Sequence, residues 1–124
     1  EGVIMAPRLV KKVSSRMGLY EANYPEVVWH RAASAGLCQQ ITAAMQGVID
    51  WGTGQRAAIP GVQVAGKTGS AENPHGISHA WFVGFAPAEA PRAVVAVIVE
   101  NAGSGGTVAA PIAKEVLQAA LARR

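Results

Sequence analysis

Between Ser34 and Trp51 the apolar residues Leu37, Ile41, Met45, Val48 and Ile49 recur at helical spacing. Ser34 stands where a helix N-cap belongs and Gly52 supplies a C-terminal stop, so the pattern predicts an amphipathic helix over about 34 to 51. The period then shortens. Residues 61 to 70, 79 to 87 and 92 to 100 read as three strands, and the five-residue segment from Pro87 to Pro91 is short enough to join the last two as an antiparallel hairpin. Val94, Val95, Val97, Ile98 and Val99 are almost continuous, which predicts a central strand buried on both faces. After Gly103-Ser104-Gly105-Gly106, Thr107 can cap a last helix with Pro111 in its first turn. Its apolar stripe is expected from Val108, Ile112, Val116 and Ala120 together with Ala113, Leu117 and Leu121.

Residues 3 to 31 carry Val, Ile and Tyr between turn formers at Gly18 and Asn23-Tyr24-Pro25, and read as short strands forming an excursion from the main body. The fold class that follows is α+β: an antiparallel sheet packed by a C-terminal helix and a second amphipathic helix. With 124 residues the chain is one domain at most, and half of its residues are hydrophobic, which excludes the disordered class. The formal charge of +3 is scattered, with Lys11-Lys12 and Arg123-Arg124 as short solvated pairs, so nucleic acid is not expected as a partner. No run approaches the length of a membrane span or has the form of a signal peptide. Cys38 is single and lies among apolar helix positions, which reads as a buried, inert thiol.

The segment richest in chemistry is Val64-Ala65-Gly66-Lys67-Thr68-Gly69-Ser70-Ala71-Glu72. Side chains alternate along a strand, so Thr68 and Ser70 share one face while Lys67 points to the other. Two hydroxyls can then meet one ligand group. Gly66 and Gly69 flank the pair, and glycine in a strand often marks a close approach by another backbone or a ligand. The plain alternative is a surface strand ending in an exposed lysine. Glu72, His75 and His79 have spacings that suggest a metal site, but Asn73-Pro74 and Gly76 break any helix that would align them, so a mobile loop rimming a cleft is expected and no metal or other cofactor. His30 beside Trp29 reads as structural, and Trp81 and Phe82 read as core. The Gly103–Gly106 run lacks the Gly-Lys-Ser/Thr ending of a nucleotide loop and reads as a flexible strand-to-helix connection.

Lys67-Thr68-Gly69 resembles the third active-site motif of the penicillin-binding proteins, in the serine D,D-transpeptidase and serine β-lactamase superfamily. Gly2-Val-Ile-Met-Ala-Pro-Arg-Leu-Val10, Gly52-Thr53-Gly54, Trp81-Phe-Val-Gly-Phe-Ala-Pro87 and Glu100-Asn-Ala-Gly-Ser-Gly-Gly106 follow the family order as well, so the resemblance covers most of the chain. Pro7-Arg8-Leu9-Val10 and Ala71-Glu72 look like the monofunctional class B enzymes. None of Ser14, Ser15, Ser34, Ser70, Ser78 and Ser104 is followed by lysine three residues on or by asparagine two residues on. Residues 1–124 thus resemble the C-terminal portion of a transpeptidase domain, half of that fold, with the nucleophile and the Ser-x-Asn motif expected upstream. The chain starts in mid-motif by this comparison, as an excised piece or one product of a cleaved polypeptide would.

The resemblance implies a peptidoglycan D,D-transpeptidase that cross-links stem peptides through an acyl-serine intermediate and binds β-lactams, acting at the extracytoplasmic face of the bacterial cytoplasmic membrane. Lys67, Thr68, Gly69 and Ser70 are then the substrate-binding residues. Lys67 supplies positive potential, the hydroxyls meet the terminal carboxylate of a stem peptide or β-lactam, and the Ser70 amide is one oxyanion donor. Lys67 and Ser70 would be the catalytic contributors. Implied partners are stem peptides, β-lactam antibiotics, the upstream half of the same protein and cell-wall assembly proteins. The isolated chain is expected to be inactive, since it lacks the nucleophile. The readings left open are a serine β-lactamase or D,D-carboxypeptidase of the same superfamily and, from another class, a non-catalytic binding or assembly module.

Overall fold

The computed structural model describes residues 2–74 and 76–123. They form two compact units, divided between Gln39 and Gln40. The first is built from two-stranded antiparallel ribbons. Strand β1 (Val3–Met5) pairs with β4 (Val28–Arg31), and β2 (Lys12–Ser14) pairs with β3 (Glu21–Asn23). None of its described residues is buried, so main-chain pairing and polar contacts define it. Arg8 donates to the Tyr24 carbonyl at 2.5 Å and to the Glu26 carboxylate at 2.8 Å. Across β2 and β3, Lys12 sits 2.6 Å from the Glu21 carboxylate, to which Asn23 also donates at 3.0 Å.

Lys12 first and Asn23 second favour the charged form of Glu21 and hold its carboxyl below the usual glutamate range. A depressed carboxyl pKa means that the pair supports the hairpin above the ordinary range and loses that support as pH falls through the depressed value. An NMR titration of Glu21 should give a midpoint below an unpaired glutamate, and Lys12→Met should raise it. An unchanged midpoint in that variant would show that the ion pair is screened out in solution.

Helix α1 (Ala35–Asp50) begins where predicted, with the Ser34 hydroxyl accepting from the Leu37 amide at 3.2 Å. It ends at Gly52, whose amide donates to the Gly47 carbonyl at 3.0 Å. Cys38, expected buried, is only partly so. In the second unit, strands β5 (Ala65–Asn73), β6 (Gly76–Ala86) and β7 (Ala93–Val99) make one antiparallel sheet in that order. Helix α2 (Ala109–Ala122) packs on β6 and β7.

Burial along β6 alternates with period two: Ala80, Phe82, Gly84 and Ala86 are buried, whereas Trp81 and Val83 are exposed. The buried row meets Ala109, Ala110, Ala113 and Leu117 of α2 in one core. Three alanines on that helix surface let it lie close to the sheet. Ile112 and Val116, expected in the stripe, are exposed, since the helix is rotated to set its small residues inward. Thr107 does not cap α2 either. The amides of Thr107, Val108 and Ala110 are taken by the Ser104 and Gly105 carbonyls, so the preceding turn caps the helix with backbone.

Two strand expectations change. The strand predicted from residue 61 starts at Ala65, because Gly61 has φ 75° and Ile59 and Val62 form an isolated bridge there. The predicted loop after Ser70 is instead a continuation of the hairpin, with Ala71 opposite His79 and Asn73 opposite Gly76 across a bulge. An exposed ribbon is held by main-chain hydrogen bonds, and these do not require apolar side chains. The nearly continuous valine run belongs to β7, which is an edge of this sheet rather than its centre. One of its rows lies toward α2, and the other, Val94, Ala96 and Ile98, is open. Run length alone registers both rows as apolar and cannot tell a covered face from an open one.

Candidate active site

Lys67, Thr68, Gly69 and Ser70 lie in the middle of β5, which has β6 on one side and no strand on the other among the described residues. Their register opposite β6 is Lys67 to Val83, Thr68 to Phe82, Gly69 to Trp81 and Ser70 to Ala80. Thr68 and Ser70 therefore share the face of Phe82 and Ala80, and Lys67 shares the opposite face with Val83, as the pleat requires. The two hydroxyls differ in setting. Ser70 is exposed, whereas Thr68 is 9% exposed and is the one buried polar side chain among the described residues.

The Thr68 Oγ1 lies 2.6 Å from Thr53 Oγ1. Thr53 belongs to the turn after α1, where the Gly54 amide donates to the Val48 carbonyl at 2.9 Å. Read as a helix stop and a stretch in family order, Gly52-Thr53-Gly54 gives no sign of this partner. A hydroxyl held between two glycines was the available signal. Lys67 is exposed, and its Nζ donates to the Thr68 main-chain carbonyl at 2.5 Å.

The glycines explain how the strand is held. A side chain at Gly66 would begin 2.4 Å from Phe82 Cζ, and one at Gly84 would begin 2.7 Å from Phe82 Cε1. The Phe82 ring thus lies across this glycine pair, and the close approach at Gly66 is made by a core aromatic. At Gly105 an added Cβ would fall 2.1 Å from the Trp81 carbonyl oxygen and 2.4 Å from that of Gly69. At Gly106 it would fall 2.2 Å from the Thr53 carbonyl oxygen. The Gly103–Gly106 run, expected to be a flexible connection, is a packed buttress at Gly105 and Gly106, seated on the backbone of β5, β6 and the Thr53 turn.

His79 faces Ala71 in the ribbon and accepts from the Asn101 amide through Nδ1 at 3.0 Å, while Asn73 and Asn101 hydrogen-bond through their side chains. His75 lies outside the described residues. No group of three metal-ligating side chains occurs among the described residues. In the first unit, His30 is exposed and makes an edge-on ring contact with Trp29 at 5.2 Å. Phe82 is fully buried, but Trp81 is 38% exposed on the Lys67 face of the sheet. A cleft of about 420 Å³ lined by Ile49, Asp50, Ile59, Val64 and Glu89 includes none of Lys67 to Ser70. On β5, then, the Lys67 cation and the Ser70 hydroxyl are exposed, while the Thr68 hydroxyl is buried against Thr53.

The family model described as penicillin binding protein transpeptidase domain matches residues 1–118. The peptidoglycan D,D-transpeptidase PbpA of Mycobacterium tuberculosis is 42% identical over 132 residues, spanning 97% of this chain and 26% of that protein. Among solved structures, the D,D-transpeptidase domain of the peptidoglycan glycosyltransferase from Eggerthella lenta aligns with TM-score 0.88 and 42% identity, covering 97% of this chain and 28% of that one. The penicillin G acyl-enzyme complex of penicillin-binding protein A from M. tuberculosis aligns with TM-score 0.83 and 37% identity, covering 97% and 28%. The chain spans about a quarter of the length of curated relatives that it matches.

Proposed function

The chain belongs to the penicillin-binding protein transpeptidase family, and from that premise we propose that it supplies the carboxylate- and oxyanion-facing strand of a peptidoglycan D,D-transpeptidase. In the complete protein a serine outside this chain attacks the carbonyl of a stem peptide's penultimate residue, the terminal residue leaves, and the amine of a neighbouring stem resolves the acyl-enzyme. β-Lactams, which acylate the M. tuberculosis relative, occupy the same site. The reaction takes place outside the cytoplasm. The observation that carries this reading is the Lys67-Thr68-Gly69-Ser70 run on the edge strand β5, inside a chain that matches the family over residues 1–118.

Each of the four residues has a part. Lys67 places positive potential beside the strand, and the Thr68 and Ser70 hydroxyls donate to the ligand carboxylate. Gly69 keeps the Lys67 face of the strand low beside Trp81. The Ser70 amide takes the oxyanion. Support for that last role comes from the edge position of β5, whose outward-directed main-chain groups have no strand partner among the described residues.

The test uses the full-length protein and a labelled penicillin. Lys67→Ala should slow acylation by an amount equivalent to about 1.5 to 3 kcal/mol, the range for a hydrogen bond to a charged group. Thermal stability should barely change, since an exposed lysine contributes little packing. Unchanged acylation with a lowered melting temperature would reduce Lys67 to an ordinary surface residue and remove this reading.

A further inference from the structure

We infer that Thr53 is a positioning residue that sets the direction in which Thr68 donates its hydroxyl proton, an inference that rests on the carboxylate-binding reading of β5. Thr68 has one proton and two acceptor lone pairs. Its Oγ1 lies 2.6 Å from Thr53 Oγ1, and either oxygen can be the donor of that bond. When Thr68 donates to a carboxylate it has no proton left for Thr53, so Thr53 must donate and Thr68 accept. An isolated threonine hydroxyl would have to find that orientation each time a ligand arrived. The pair needs only a concerted turn of two O–H bonds.

Thr53 is suited to this because it is held from several directions. The turn that carries it is pinned to the end of α1 by the Gly52 and Gly54 amides, which donate to Gly47 and Val48. Gly106 presses on its carbonyl, and the Arg56 guanidinium donates to the Thr107 carbonyl at 3.2 Å, tying this turn to the segment that enters α2. The partner is as fixed, since Thr68 is nearly buried and sits opposite Phe82. A Thr53 hydroxyl turned toward Thr68 also makes the Thr68 oxygen an acceptor already in use, and this strengthens the proton it donates.

The experiment measures acylation of the full-length protein by penicillin G and by its methyl ester, which lacks the carboxylate charge. Thr53→Val, close in shape but without a donor, should slow acylation by penicillin G by about three- to tenfold, as expected for one hydrogen bond, while changing the ester rate less than twofold. Thr53→Ser should restore the wild-type rate. Added to Thr68→Val, Thr53→Val should cause no further loss, because its effect passes through Thr68. Equal slowing with both probes, or a fall in melting temperature without rescue by serine, would make Thr53 merely structural. A full further loss on top of Thr68→Val would mean that Thr53 touches the ligand itself, which also overturns the inference. If Thr68→Val already treats the two probes as the wild type does, the carboxylate reading of β5 fails, and this inference falls with it.

Discussion

Phe82→Ala in the full-length protein is expected to lower folding stability by about 3 to 5 kcal/mol, the usual cost of truncating a buried phenylalanine. The ring is fully buried and lies across Gly66 and Gly84, with the alanine row of α2 in the same core. Its removal leaves a void that neither glycine can fill. The contact can be tested more sharply by pairing it with Gly66→Ala. Alone, that change forces a Cβ to within 2.4 Å of the ring and should destabilise. In the Phe82→Ala background the same methyl enters the void and should cost far less. Denaturant unfolding of all four proteins gives the coupling. Additive effects would show that the ring does not cover Gly66.

A comparable loss, this time in rate, should come from Ser70→Pro. Ser70→Ala keeps the main-chain amide and should slow penicillin acylation by about 0.5 to 1.5 kcal/mol, an ordinary hydrogen bond. Proline removes the amide and should cost at least about 2.7 to 4 kcal/mol, as for the loss of one oxyanion donor. β5 is an edge strand, and an N–H directed to its open side makes no ladder bond, so this is a strand position where proline can be accommodated. A melting curve establishes that the variant is folded. A folded proline variant that acylated as fast as the alanine variant would take the oxyanion role away from Ser70.

The sequence is legible where local chemistry decides the outcome. Ser34 and Gly52 bound α1 as capping rules require, and the short Pro87–Pro91 segment predicts the β6–β7 hairpin. Lys67, Thr68 and Ser70 fall on the faces that strand alternation assigns to them. What could not be read depends on contacts distant along the chain. The Thr53–Thr68 bond spans fifteen residues, and the seat of Gly105 on Gly69 and Trp81 joins three segments. Glycine there signals a close approach, but the sequence does not say to what, so the run read as slack. Likewise Val94 and Ile98 are as apolar as Val95, and only the position of α2 decides which row is covered.

That open row on β7 governs how this segment behaves when handled by itself. Val94 is 80% exposed and Ile98 46% exposed on a strand whose outer hydrogen-bonding edge has no partner among the described residues. It has neither an inward charge nor a proline to blunt it. Such an edge is a template for intermolecular strand pairing, and a β-branched run of low charge is the composition that drives it. Preparations of the 124-residue chain alone should therefore self-associate in a concentration-dependent way, and a lysine at position 94 should raise their solubility. Weak ligand binding by such a preparation would reflect sequestration of the sheet in aggregates, not the chemistry of β5.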